Sequence, residues 1–332
     1  MDGAVAVLRK FLPWFAAAVF AGAVVLVVRS LREHGLDAVG DALAGIPASH
    51  LLAAAGLAAA SYLTLTGVDF VALRSTGAAL PWPRAALGSF VALSVGHVAG
   101  LAVLSSGTLR YRVYSAYGIS EGNVARAILF CAATVAVGLL TLAGAGALAG
   151  PERTAAFLGL DVGVVVALAA LSLLVVLGYL VAAARVRRPL RFRSFEVPLP
   201  SGRFALLQLG LGTLNFSLVS GVLYRLLGDS VDVGFLAFAS FYAAANAASI
   251  LSHVPGGLGV LEALVLAVAS GPETLGALVA FRVVYYFVPF AIGGLLFLVW
   301  SRRSRPATDD ADPKVTPSGR HRPPSPSTEP PT

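Results

Sequence analysis

The sequence predicts an all-α polytopic membrane protein, with about six full spans plus two broken or re-entrant helical segments in an inverted-repeat arrangement. Three observations predict it. Of 332 residues, 57% are hydrophobic and only 12% are charged, with a mean hydropathy of +0.82. A soluble domain carries about 25% charged residues, so this chain has too few polar groups to cover a water-facing surface. Its apolar residues fall into runs at roughly 11–28, 51–73, 85–104, 124–149, 159–184, 204–227, 233–254, 258–270 and 275–300. Two of these stretches are interrupted by glycine, one in each half. The composition all but excludes a soluble enzyme, a disordered protein, a coiled coil and a nucleic-acid module. The net charge of +7 is read as arginine that fixes topology and meets anionic lipid.

Taken in order, Arg9 and Lys10 precede an apolar stretch of 18 residues. A secretory signal has a shorter core, so this is expected to be an uncleaved first span with a cytoplasmic N-terminus. The segment 29–50 carries mixed charge and is expected outside, along the interface. Most later runs reach the length of about 20 residues that a spanning helix needs. The run from Leu258 to Ser270 does not; as a helix it reaches only about 20 Å. Ala143-Gly144-Ala145-Gly146 suits close helix packing. Cys131, the one cysteine, permits no internal disulfide and reads as a small packing residue. The membrane domain is thus expected over 1–300. Residues 301–332, rich in Pro, Ser, Thr and charge, form an expected disordered cytoplasmic tail.

Arginine sets the orientation. Arg185, Arg187, Arg188, Arg191, Arg193 and Arg203 face only Glu196 in one link, and Arg302, Arg303 and Arg305 close the last span. Both regions should be cytoplasmic. The links 228–232 and 271–274 hold Asp229, Asp232 and Glu273 without Arg or Lys, and suit the outside. Parity follows. Arg74 and Arg84 precede the third run and Arg110, Arg112 and Arg126 follow it, all wanting the inside, so 85–117 should enter and leave by the cytoplasmic face. Its turn is expected at Ser105-Ser106-Gly107. Likewise 233–270, broken at Pro255-Gly256-Gly257, should enter and leave by the outer face. Ser89-Phe90 and Ser240-Phe241 open the two segments at matching places. Paired, oppositely inserted, glycine-broken segments point to a transporter's binding site; two ordinary hairpins with aqueous turns are the plainer alternative.

Three motifs carry candidate chemistry. The first runs from Ser105 through Gly107, Arg110, Tyr111 and Arg112 to Tyr114. Gly107 permits a sharp turn, and Arg110 and Arg112 with Tyr114 offer donors for a phosphate. A positive-inside loop with interfacial tyrosines is the alternative. The second is His253-Val254-Pro255-Gly256-Gly257-Leu258-Gly259-Val260-Leu261-Glu262. Pro255 favours a helix start, and Gly256, Gly257 and Gly259 let backbone approach a ligand. The new helix aims free N–H groups at an anion. Glu262 caps its dipole or meets a cation. The third is Phe281-Arg282-Val283-Val284-Tyr285-Tyr286-Phe287-Val288-Pro289. An Arg near a helix centre costs about 2.5–3.5 kcal/mol on insertion scales. Arg282 therefore wants a partner (Tyr285, Tyr286 or Glu262) or a wet cavity, unless it snorkels. Asp69, His97, Asn215, Asn246 and Arg225 are lesser candidates. His97 and His253 match no zinc spacing, and no metal or cofactor is expected. No Walker-type loop or nucleophilic triad is evident, so no catalytic residue is assigned.

These three motifs, in this order over about residues 10–300, resemble the lysylphosphatidylglycerol synthase transmembrane family, also called flippase-like or UPF0104. It includes the membrane half of the multiple peptide resistance factor. Leu261 stands where an aromatic residue is expected, and Ser105-Ser106 where Gly-Gly is commoner; neither change removes a charged group. The resemblance implies a bacterial inner-membrane protein, both termini cytoplasmic, that moves phospholipid between leaflets. Aminoacyl-phosphatidylglycerol is among the expected substrates. In the two-part relatives a soluble domain makes the aminoacyl lipid. With only 32 residues from Ser301 onward, aminoacyl transfer by this chain alone is not expected. The expected partners are a phospholipid headgroup, the membrane and a separate lipid synthase, with no nucleic acid. Two alternatives stay open: a membrane-embedded headgroup transferase using His97 or His253, and a non-catalytic partner of a lipid synthase.

Overall fold

The computed structural model describes residues 44–99, 102–186, 190–192, 195–197, 199–252, 260–269 and 273–303. The expected first span at 11–28, most of the segment 29–50 and the tail from residue 304 lie outside the described residues.

The described chain is helical, as its composition requires: in lipid every backbone polar group must be satisfied within the segment. α1 (Ala48–Ser75) follows Pro47 and ends at a turn where Gly77 takes φ 81°. α2 (Trp82–Ala99) has Pro83 in its first turn, where a missing N–H is harmless. α3 (Ala102–Ala116) follows, and α4 (Glu121–Ala149) starts at Ser120, whose side chain accepts from the Asn123 N–H at 3.4 Å. A short α5 (Pro151–Leu158) ends at Gly159 in the left-handed region. α6 (Val162–Arg185) is capped by Asp161, which accepts from the Gly163 N–H at 2.7 Å. α7 (Gly202–Leu227), α8 (Phe235–Ser252), α9 (Val260–Val268) and α10 (Glu273–Arg282) come next. A π-helical segment, Val283–Phe287, then leads directly into α11 (Val288–Arg303). The described helices long and apolar enough to cross a membrane are Ala48–Ser75, Glu121–Ala149, Val162–Arg185, Gly202–Ser230 and Gly276–Arg302.

The arginine-rich link holds a small addition to the helical plan. Strands β1 (Leu190–Phe192) and β2 (Phe195–Val197) pair antiparallel, with Arg191 opposite Glu196. Alternation of apolar and charged residues suits such a ribbon.

Contacts between helix ends orient the two broken segments. The Tyr114 hydroxyl, near the end of α3, lies 3.1 Å from the Ala85 carbonyl, near the start of α2. The segment therefore returns to where it began. Trp300, in the last turn of α11, donates to the Tyr117 hydroxyl at 3.1 Å at that same end. In the second half, Val231 and Ala269 form an antiparallel bridge, so 231–269 also closes on itself. That bridge follows Gly228, whose added Cβ would lie 3.1 Å from the His50 ring, at the start of α1. The first hairpin thus opens at the Ser75 end of α1 and the second at the Ala48 end. The parity read from arginine agrees with this.

α2 descends alongside α1. Ser89 bonds Asp69, and His97 bonds Tyr62, near the midpoint of the 28-residue α1. α2 ends two residues beyond His97, at mid-depth. The expected turn at Ser105-Ser106-Gly107 is corrected: all three residues lie inside α3. Gly107 costs a helix only about 1 kcal/mol relative to alanine. Packing outweighs that cost here, since Ser106 is buried and a Cβ at Gly107 would meet Ile128 at an ordinary 3.5 Å.

Glycine brings the helices close. A Cβ on Gly138 of α4 would strike the Gly212 backbone of α7, and one on Gly212 would strike the Thr134 carbonyl. One on Gly144 would strike Ser172 of α6, and one on Gly146 would strike Ser240 of α8. The small-residue run therefore packs as expected. Cys131 is buried among Val68, Tyr114, Val124 and Ala127.

Candidate functional site

Two polar clusters interrupt the apolar core. The first lies toward the Ser75 end. Arg110 Nε and Nη2 reach Asp69 Oδ1 and Oδ2 at 2.7 and 2.8 Å, a bidentate pair with side chains only 6% and 1% exposed. Tyr114 donates to Oδ1 at 3.0 Å and Ser89 to Oδ2 at 2.6 Å. Four donors saturate the carboxylate. A charge buried in lipid is tolerated only when paired in this way. The network joins α1, α2 and α3, so it fixes the re-entrant hairpin to the long helix.

Residues 110 and 112 diverge. Arg112 leaves α3 in another direction, its guanidinium carbon 5.1 Å from the centre of the Phe297 ring of α11. The two expected phosphate donors therefore face different neighbours, and Tyr114 serves Asp69 and Ala85.

The second cluster lies at mid-depth, around the π segment. Its cause is legible in one residue. In a regular helix the amide of residue 289 would bond the carbonyl of Tyr285, but Pro289 has no N–H and its ring crowds that carbonyl. The helix widens there, and the Val288 N–H bonds Val283 O, one residue further back than an α-turn. The Tyr285 carbonyl takes its hydrogen bond from Tyr62 of α1, at 3.1 Å. The Tyr285 hydroxyl lies 3.0 Å from Ser61, which donates to Asn215 Oδ1 at 2.7 Å. Ser61 has one proton, spent on Asn215, so Tyr285 is the donor to Ser61.

His97 enters this cluster from α2. Its Nδ1 lies 3.2 Å from the Tyr62 hydroxyl, and its ring stacks on Tyr285 with centroids 5.9 Å apart. Tyr286 lies 6.2 Å from it, and Arg110 is within electrostatic reach. Tyr62, Phe281, Tyr285 and Tyr242 pack with Leu261, Leu264 and Val265 of α9. The second hairpin therefore shares this core. Asn246 bonds its own helix at Tyr242 O, 3.0 Å away, and Arg225 is exposed near the end of α7.

Of the expected site residues, the structure gathers Asp69, Arg110 and Tyr114 in one cluster and His97, Tyr285 and Tyr286 in another. Arg282, half-buried, ends α10 immediately before the π segment. Glu262 sits in the first turn of α9, its side chain outside the description. His253, Pro255, Gly256, Gly257 and Gly259 lie outside the described residues. Sequence reasoning missed Ser61, Tyr62 and Ser89. The available signal was a Ser-Tyr pair midway along an apolar span, together with Pro289 four places after Tyr285.

This is a multi-pass α-helical membrane protein with two segments that close on themselves at opposite ends of α1. Its sequence matches the family described as lysylphosphatidylglycerol synthase TM region over residues 14–293, and the chain belongs to that family. A protein of Synechocystis sp. named "Uncharacterized protein slr0712" is 34% identical over 269 residues, covering 80% of this chain and 84% of the relative. The "Inner membrane protein YbhN" of Escherichia coli is 27% identical over 313 residues, covering 90% and 93%.

Proposed function

We propose that the protein is a phospholipid translocase of the bacterial inner membrane, with both termini cytoplasmic. The observation that carries this reading is the opposed pair of hairpins, the first bringing His97 to a polar cluster at mid-depth and the second packing Leu261, Leu264 and Val265 on the core around it. A lipid headgroup needs a polar path across hydrocarbon, whereas its acyl chains can stay in lipid. Arg112 and the backbone of Gly256, Gly257 and Gly259 offer donors to the phosphate, and Arg110, held by Asp69, adds its positive field. Arg282 and Glu262 balance charge, and Glu262 meets the ammonium when the lipid is aminoacylated. Tyr114 sets Arg110 through Asp69, while Tyr285 and Tyr286 line the path. The family points to aminoacyl-phosphatidylglycerol among the substrates and to a lipid synthase as supplier. The name of the Escherichia coli relative supports the location.

The test uses purified protein in vesicles carrying a headgroup-labelled phospholipid, with leaflet exchange followed by an impermeant quencher. The parent is expected to accelerate exchange, and Arg282→Ala and Glu262→Gln to slow it by tenfold or more, the effect of losing about 1.4 kcal/mol of stabilisation. Equal rates in all three would remove these residues from the path. A new headgroup appearing in the lipid pool would instead favour the transferase alternative.

A further inference from the structure

The hydrogen-bond order around Tyr62 fixes the proton on His97. The Tyr62 hydroxyl has one proton and donates it to the Tyr285 carbonyl, which can only accept. His97 Nδ1, 3.2 Å from the same hydroxyl, must then be the donor. A neutral imidazole with its proton on Nδ1 keeps a lone pair on Nε2. His97 also retains some open surface, in contrast to the buried Val95 and Val98 beside it. It stands at mid-depth, where the first hairpin ends, with a base pointing away from its only hydrogen-bond partner among the described residues.

Among the described residues, the titratable groups packed on His97 are Tyr62 from α1 and Tyr285 and Tyr286 from the π segment, and the charge of Arg110 on α3 reaches it. None of them is a free anion, since Asp69 is spent on Arg110, Tyr114 and Ser89. A proton arriving alone would place a second cation within the field of a guanidinium, in a medium that solvates charge poorly. A phosphate monoanion arriving alone has the opposite difficulty. Together they are neutral, so each promotes the binding of the other, and linkage makes that promotion reciprocal.

We propose that His97 is a proton-binding site that loads together with the phosphate of an anionic phospholipid. This rests on the translocase reading and adds its coupling ion. The proton adds to the Nε2 lone pair and leaves it again on the far side. No other bond forms or breaks; the phosphate and the His97 imidazolium form an uncharged pair at mid-depth, and the lipid and the proton then leave separately while His97 stays in place. Lipids with a zwitterionic headgroup already carry their own cation and do not call the proton in.

The experiment is calorimetric titration of the full-length protein with short-chain phosphatidylglycerol at pH 7, in two buffers of different ionisation enthalpy. The difference in heat gives the protons taken up. The expected result is about one proton per lipid bound for the parent, and none for short-chain phosphatidylcholine. His97→Asn keeps an N–H donor for Tyr62 but cannot titrate. It is expected to bind phosphatidylglycerol more weakly and without proton uptake. His97→Gln serves if that variant does not assemble. Binding by the parent with no buffer dependence overturns the proposal and leaves the translocase reading intact. Equal uptake by parent and variant does the same. Absence of any phosphatidylglycerol binding removes both.

Discussion

At the scale of single residues, the decisive feature is that Asp69, Ser61 and Tyr62, all buried, find their partners on other helices. Asp69 is the strongest case, because three different helices meet on one carboxylate. Asp69→Ala strands the Arg110 guanidinium in the core and is expected to cost about 3–5 kcal/mol. Unfolding of the detergent-solubilised protein, followed by helical circular dichroism, measures this. Adding Arg110→Met to Asp69→Ala removes the stranded charge and is expected to recover most of the loss. A double variant no more stable than the single one would argue against the pair as the source. The sequence showed both residues as charges in apolar surroundings, and it read Arg110 as a phosphate donor. Their partnership was hidden because 41 residues separate them.

At the scale of the element, helix positions were legible and helix irregularities were not. From residue 51 onward the apolar runs match described helices to within about five residues, α3 excepted, because a spanning segment must be both long and apolar. The break in the first hairpin was misplaced because Ser105, Ser106 and Gly107 weaken a helix without forbidding it. The π segment went unseen for a different reason. Pro289 announces a lost hydrogen bond, but the group that replaces it, Tyr62, lies 223 residues from Tyr285. Glycine contacts were easier, since small residues in an apolar helix have few other uses. Gly212→Ala pushes a methyl group into the Thr134 carbonyl and the Gly138 backbone. It is expected to cost about 1–3 kcal/mol by forcing α4 and α7 apart. Gly210→Ala, inside the same helix with open space around it, is the control and should not lower the unfolding midpoint.

At the scale of the whole molecule, the two hairpins open at opposite ends of α1, which yields a topology test. With Cys131 replaced by alanine, single cysteines at Gly77 and at Gly118 should label from one side of the membrane. Those at Asp229 and at Ser230 should label from the other. An impermeant maleimide applied to right-side-out and inverted vesicles distinguishes them. Labelling of all four from one side would refute the opposed arrangement. Charge had already implied it: arginine in the links at one end and aspartate at the other leave parity only one solution. What charge does not reveal is depth, which came from the level at which His97 meets Tyr62.

The widened turn before α11 has a consequence for sequence length. A π-turn accommodates one residue more than the α-turn it replaces, so the stretch between Arg282 and Val288 holds a spare amino acid. Deleting one position inside it would remove that extra residue while Phe290, Phe297 and Trp300 keep their bearings. The same deletion a turn later would swing every following side chain by about 100°. Natural variation in length along this span should therefore gather at that single place.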